Sequence, residues 1–480
     1  MRALNLDRDQ SAPLYRQIHD SIRMAIESGQ LRPGDRLPSA RSLAAQLHAA
    51  RGTIDTAYAL LSGEGYIISR GPRGTIVSPE LAPSTPAPRR RPARPARAAA
   101  LPAVRPLEMG LPALDAFPRK LWSRLVARQA RMTSPASLAY PDPAGFGPLR
   151  EAIAGYLATS RGIACTASQV IVCAGYQGGV GLIARVLLRP GDQAWFEDPG
   201  YLRARRALEH AGARLVPVPV DAAGLDVAAG RRRAPRARFA VVTPSHHSPL
   251  GVSLSLPRRQ ALLAWAETAG AFVIEDDYDS EFRYSGRPLP ALKSLDRGER
   301  VLYVGSFSKT LFPSLRLGYL VVPDGLVEAF ATACRLFGTG LPALEQAVVA
   351  NFIAQGHFAR HLRRMRGLYG ARRDALAEAL ARTFGAALRI DHHAGGMHLV
   401  ARLPAGADDV ALAQAAAAHG LAPGALRDCA IEVACDPALL LSFTNVAERD
   451  APRIARRLRE ALPGIAGAAT PRSDSASRRK

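Results

Sequence analysis

Apolar residues recur every four positions near the start of the chain. In PLYRQIHDSIRMAIES, Leu14, Ile18, Ile22 and Ile26 form one stripe of a helix over 13–28, and Gly29 ends it. In LRPGDRLPSARSLAAQLHAARGTIDTAYALLSGEGYIISRGPRGTIV, Pro38-Ser39 opens a second helix that runs to His48. A short turn then leads to a third, over Arg51 to Ser62, and the alternating run YIISRGPRGTIV reads as a hairpin. Two short helices joined by a tight turn and followed by a hairpin predict an α+β winged helix-turn-helix.

Residues 81–106, LAPSTPAPRRRPARPARAAALPAVRP, carry no apolar periodicity and are dense in Pro, Ala and Arg. They predict an extended, partly stiff linker. Beyond it, short apolar runs (QVIVCAG, QAWFED, RLVPVPV, FAVVTP, AFVIEDD, VLYVGS, LGYLVV) alternate with helix-length segments. That alternation predicts an α/β domain around a mostly parallel sheet. From about Phe352 the pattern changes to long helices and scattered strands, a smaller C-terminal α+β lobe. The expected organisation is multidomain: 1–80 winged helix, 81–106 linker, 107–465 α/β domain with its lobe, and 466–480 a disordered tail.

Composition narrows the class. Hydrophobic residues make up 48% and charged residues 22%, which suits globular domains. The five cysteines, Cys165, Cys173, Cys334, Cys429 and Cys435, lack CxxC or Cys/His spacing, which argues against a zinc site and a disulfide framework. No signal-peptide core and no long charge-free apolar run are present, so the expectation is a soluble cytoplasmic protein without a membrane partner. The net charge of +22 suggests a polyanion, but residues 1–78 hold ten arginines against seven acids and the excess is spread along the chain.

Helix spacing leaves a docking module with solvated arginines open beside DNA binding. In the DNA-binding case the first turn of the third helix, Arg51 and Thr53, would reach base edges and phosphates. Ser39 and Arg41 on the preceding helix and Arg73-Gly74 in the wing would approach the backbone or minor groove. The wording of PLYRQI, GDRLPSARSLAAQL, TIDTAYALLSGEGYI and RGTIV resembles the winged-helix domain of the GntR family over 11–78, which implies double-stranded DNA as partner. LHAARGT departs from that family's usual Gly-x-Ser/Thr-Arg turn while keeping Arg51 and Thr53.

Positive charge in this chain is carried almost wholly by arginine; its only lysines are Lys120, Lys293, Lys309 and Lys480. Lys309 follows an apolar strand in VGSFSKTLFPSLRLG, and ligands in open α/β sheets gather at the carboxyl ends of strands. A primary amine attacks an aldehyde, which a guanidinium does not usefully do. Together with an acid and a helix N-terminus, Lys309 suits pyridoxal 5′-phosphate as cofactor. Strand alternation points Asp276 away from Glu275 and Asp277, against an Mg²⁺ site in EDDYDSE. His246 and His247 have no acidic or cysteine partner at a ligand spacing and read as hydrogen-bonding residues, so no metal is expected.

TPSHHSPLG, IEDDYDSEFRYSGRPLPALK and YVGSFSKTLFPSLRLGYLVVP resemble the fold-type I aminotransferase domain of the MocR group of GntR regulators, over about 107–460. The resemblance implies Lys309 as the internal aldimine lysine, Asp276 on the pyridine nitrogen and Tyr278 on the ring hydroxyl. Arg316, Ser306 and the backbone of Tyr176 and Gln177 would bind phosphate, Tyr201 would stack on the ring, and Arg203 would engage an effector carboxylate. It also implies a homodimer. Two departures stand out: HHS replaces the group's usual His-Gln-aromatic, and Leu440 stands where many aminotransferases carry the arginine that grips the substrate carboxylate. Arg427, in APGALRD, is the alternative carboxylate partner. The expected function is transcription regulation through sensing of an amino compound or of the cofactor itself; the alternative is an active aminotransferase with an attached DNA-binding module.

Overall fold

The computed structural model describes residues 6–7, 12–81, 104–286 and 289–465; residues 82–103 of the expected linker and the whole expected tail lie outside them. The chain divides into two compact units, Met1–Pro102 and Ala103–Lys480.

In the first unit the stripe becomes the helix Leu14–Glu27, with Ile18 and Ile22 fully buried. Burial of such a side chain contributes about 1.5–3 kcal/mol. The helices Ala40–Leu47 and Arg51–Gly63 follow, and Leu43, Ile54, Ala57 and Leu61 complete the core with Val77. Ser39 caps the second helix, its hydroxyl accepting the Ser42 amide at 3.1 Å. His48, at φ 48°, turns the chain out of it. The wing is a three-stranded sheet, Arg36–Leu37, Thr75–Val77, Ile67–Ser69 in that order. Its two-residue edge strand was not expected: two residues show no alternation, and their pairing with Ile76 and Thr75 arises only on folding.

All seven expected strands of the large domain form. The sheet runs Val170–Cys173, Gly318–Val321, Val301–Ser306, Phe272–Asp277, Phe239–Val242, Gln193–Asp198, Arg214–Asp221, with the short strand Gly224–Leu225 at the edge. Gly318–Val321 is antiparallel to both neighbours. The link from Ser306 to Gly318 is too short for the crossover that a parallel return requires. Central strands such as Phe239–Val242, and the edge strand Val170–Cys173 as well, are buried throughout, which explains their continuous apolar reading.

The C-terminal lobe is an antiparallel sheet ordered Arg389–Asp391, His398–Arg402, Ala438–Ser442, Gly424–Ala425. Leu399, Ala401, Leu439 and Leu441 belong to the same core as the helices His357–Phe384 and Ala451–Ala461. Val400, Ala438 and Leu440 form a separate apolar cluster with Leu426, against which Met109 and Leu250 pack.

Candidate functional site

The sheet register assembles the crevice. Cys173 pairs with Gly318 and Gly318 with Ser306, so three strand ends lie side by side at one level. The helix Gly175–Leu187 begins beside them, and no side chain caps it, which leaves the amides of its first turn, including Tyr176 and Gln177, without intrahelical acceptors. Gly318 permits the approach: a Cβ there would lie 2.9 Å from the Gly175 Cα. Arg316, exposed and in the left-handed region at φ 51°, extends its guanidinium to 3.4 Å from the Ala174 carbonyl at that helix start. Ser306 caps the short helix Phe307–Thr310, accepting the Ser308 amide at 3.2 Å. Uncapped amides, a hydroxyl and a guanidinium make a cradle for a phosphate dianion.

Lys309 lies on that short helix and donates to the Gly110 carbonyl at 2.5 Å. Gly110 adopts φ +82°, which favours glycine, and a Cβ there would come within 2.6 Å of the lysine nitrogen and displace it. Withdrawal from water, aided by Arg203, pushes the Lys309 ammonium down to about 8 against the pull of Asp279 and Asp276. A larger share of the amine is therefore unprotonated near neutrality, as a nucleophile needs.

Asp276 pairs in register with Val304, next to the strand end that carries Ser306. Burial, then Asp277, holds its carboxyl well above the usual carboxylate range, with the Tyr176 hydroxyl opposing. The neighbouring acids turn away as alternation predicts: Glu275 accepts the amides of Leu292 and Lys293, each at 2.8 Å, and Asp277 accepts from Arg161 at 2.8 Å and Tyr303 at 2.6 Å. A buried carboxyl without a cation of its own fits the protonated nitrogen of a heteroaromatic ring. The rings of Tyr176 and Tyr201 stand 6.0 Å apart, edge to face, and Asp276 acts on both hydroxyls. Tyr278 follows the same strand, its hydroxyl 3.0 Å from His246 Nδ1.

Arg203 is exposed but close enough to act on Lys309 and Tyr201. Arg427 is not brought into this group. Its guanidinium faces Asp408 and Asp409, each at 3.6 Å, and its amide donates to Asp409 at 3.0 Å. Leu440 is buried in the apolar cluster with Val400 and Leu426.

Sequence spacing missed the acidic partners of the histidines. His246 Nδ1 lies 3.0 Å from an Asp279 oxygen and His247 Nε2 lies 3.5 Å from Glu197. Glu197 sits on the strand Gln193–Asp198 and Asp279 in the loop after the strand Phe272–Asp277, so no local pattern announces them. Burial pushes His247 down to about 3 and Glu197 up to about 8. A groove of about 430 Å³ lies elsewhere, lined by Trp122, Phe312, Leu315, Leu341 and Leu344 among others, and it includes Arg316 of the crevice.

In the winged unit Arg51 is the first residue of the third helix, its side chain 72% exposed and only loosely paired with Asp55 at 3.5 Å. Arg41, Arg73 and Gly74 are exposed and Thr53 is partly buried, whereas the Ser39 side chain is committed to its cap. Gly74 sits at φ 89°, and the Arg73 carbonyl accepts from Arg36 at 2.9 Å, which fixes the wing tip.

Residues 14–77 match the family of bacterial regulatory proteins, gntR family, and residues 119–437 match aminotransferase class I and II. The chain is 40% identical over 432 residues to the "Probable rhizopine catabolism regulatory protein MocR" of Rhizobium meliloti, covering 87% of each chain. It is 35% identical over 403 residues to the pyridoxine biosynthesis transcriptional regulator PdxR of Corynebacterium glutamicum, covering 83% of this chain and 84% of that one. Among solved structures, the kynurenine aminotransferase of Pyrococcus horikoshii, in complex with PMP, superimposes with a TM-score of 0.69 at 28% identity over 75% of this chain and 91% of that one. With a GntR winged helix followed by an aminotransferase class I and II domain, and with such relatives along most of its length, the chain belongs to the MocR-type transcription regulators of the GntR family.

Proposed function

We propose that this regulator holds pyridoxal 5′-phosphate in the Lys309 crevice and senses an amino compound, or the cofactor itself, through it. The observation that carries the proposal is an amine lowered to about 8 in the same crevice as the buried, raised carboxyl of Asp276. When bound, the cofactor supplies an aldehyde that captures amines and a ring that withdraws electrons. Lys309 would hold it through the side-chain nitrogen, and Asp276 would keep a proton on the ring nitrogen. Tyr278 would bind the ring hydroxyl and Tyr201 would cover the ring face. Ser306, Arg316 and the amides of Tyr176 and Gln177 would hold the phosphate, and Arg203 would meet an effector carboxylate. The names of the relatives, rhizopine catabolism and pyridoxine biosynthesis, support an amino compound or the cofactor as the signal.

The winged helix would present Arg51, Thr53, Arg41, Arg73 and Gly74 to DNA, with Ser39 ordering the helix before it. A homodimer would supply two such units for paired half-sites, and the apolar groove beside Arg316 is a surface a second copy would cover. Sensing requires that the ligand bind two states of the protein with different affinity. The set around Lys309 also supports a second reading, an active aminotransferase, against which the apolar side chain of Leu440 counts because it offers a substrate carboxylate no charge.

The test is a titration of the DNA upstream of the protein's own coding region at fixed salt, with and without pyridoxal phosphate, for the native chain and Lys309→Ala. A cofactor-dependent change of affinity that disappears in the variant is expected. Specific binding that ignores the cofactor in both chains would overturn the sensor, and steady turnover of an amino donor with an oxo-acid would favour the enzyme.

A further inference from the structure

His246, in the loop after the strand Phe239–Val242, holds an unusual set of contacts. Its Nδ1 is 3.0 Å from the Tyr278 hydroxyl and also 3.0 Å from an Asp279 oxygen. One nitrogen cannot serve both in the same way. As an acceptor it takes the Tyr278 proton; as a donor it serves the Tyr278 oxygen and frees the phenol proton to point elsewhere, with the Asp279 carboxylate close by in either case. That Asp279 oxygen has no hydrogen-bond donor among the described residues.

The other ring nitrogen is placed for a proton exchange. His246 Nε2 is buried without a partner among the described residues, as are Ser280 Oγ and Arg283 Nε. His246, Ser280 and Arg283 line one small cavity of about 20 Å³ with Asp279, Arg161 and Ser245, large enough for one water. Gly396, at φ +97°, closes on the imidazole, and a Cβ there would lie 2.4 Å from Nε2. The other titratable groups facing His246 are its neighbour His247 and, across the lobe boundary, His393 and His398, with ring centroids 6.4 and 5.9 Å away.

We propose that His246 is a positioning residue for Tyr278, an alternate hydrogen-bond partner that takes up its hydroxyl when the ring is absent and supports it as a donor to the ring oxygen when the ring is bound. The proposal rests on the reading that the crevice holds pyridoxal phosphate. On loading, Nε2 releases its proton to solvent through the cavity water and Nδ1 takes one up from solvent water, so the imidazole changes tautomer, its charge is unchanged and no net proton is consumed. Nδ1–H then donates to the Tyr278 oxygen, and the phenol proton would turn to the cofactor's ring oxygen. A donor held on that oxygen favours its ionised form and lowers the pH at which it loses its proton.

The full-length chain, His246→Asn, Tyr278→Phe and the double variant are loaded with pyridoxal phosphate, and the visible absorption is followed against pH. Each single variant is expected to move the transition up by about one pH unit or more. The double variant is expected to match Tyr278→Phe alone, because His246 acts through Tyr278. An unmoved midpoint in His246→Asn, or shifts that add in the double variant, would overturn the proposal. Absence of any lysine-bound absorption in the native chain would instead overturn the cofactor reading. Should His246→Asn not fold, ¹⁵N-histidine spectra of the native chain decide: one of the 11 histidines is expected to change tautomer on loading, and no change in any of them sinks the idea.

Discussion

The lysine crevice and the exposed arginines proposed to meet DNA are built in opposite ways. Arg41, Arg51 and Arg73 lie within 33 positions of one another, exposed and at most loosely paired, and recognition of a polyanion needs no more burial than that. Lys309, Asp276, Tyr176, Tyr201 and Gly110 come from five segments spread over 200 positions, and the crevice has changed their chemistry. The lysine is lowered and the aspartate raised because both are taken out of water. An exposed cation works by its charge, whereas a reactive amine must lose part of its charge, and only a folded interior takes it away.

Several experiments would break or sharpen this contrast. The largest effect is expected from Lys309→Ala, which should abolish lysine-bound cofactor absorption while leaving DNA binding in the absence of cofactor intact; equal loss of both would show that the two regions are not separable. Asp276→Ala should weaken cofactor binding by about tenfold to a hundredfold, about 1.4–2.8 kcal/mol, by equilibrium titration. Arg51→Ala should weaken specific DNA binding by about 1–3 kcal/mol and leave cofactor absorption unchanged.

The pH dependence of the crevice has a definite sign. A lysine lowered to about 8 binds fewer protons folded than unfolded between that value and its ordinary one. The cofactor-free protein should therefore gain stability as pH rises from about 8 to about 10.4, and Lys309→Met should remove that gain in denaturant melts. Over the same native chain the rate of cofactor capture should climb through pH 6–8 and then level. The smallest effect is expected from Arg427→Ala: with its guanidinium held by Asp408 and Asp409, loss of the side chain should leave the absorption spectrum unmoved. A spectral or affinity change there would return Arg427 to the crevice.

Legibility followed the length scale of each feature. The helix stripe of Leu14, Ile18 and Ile22, the cap at Ser39 and the seven strands were readable because each is set by neighbours within a few residues. The pointing of Asp276 away from Glu275 and Asp277 was readable too, since alternation along a strand is local. The strand Arg36–Leu37 was not, because its only evidence is a partner 40 positions away. Nor was the pairing of His246 with Asp279 and of His247 with Glu197, nor the capture of Arg427 by two aspartates.

The sequence by itself determined the two kinds of module, their order, the identity of the lone lysine in its strand-end motif and the residues that surround it by resemblance. Tertiary structure decided which of those residues meet. It placed Gly318 so that an uncapped helix start could approach Ser306 and Arg316. It set Gly110 against the Lys309 nitrogen and turned Leu440 into an apolar cluster. The reason is physical: secondary structure follows from local spacing, while desolvation and the company of charges depend on segments that only the packed sheet brings together.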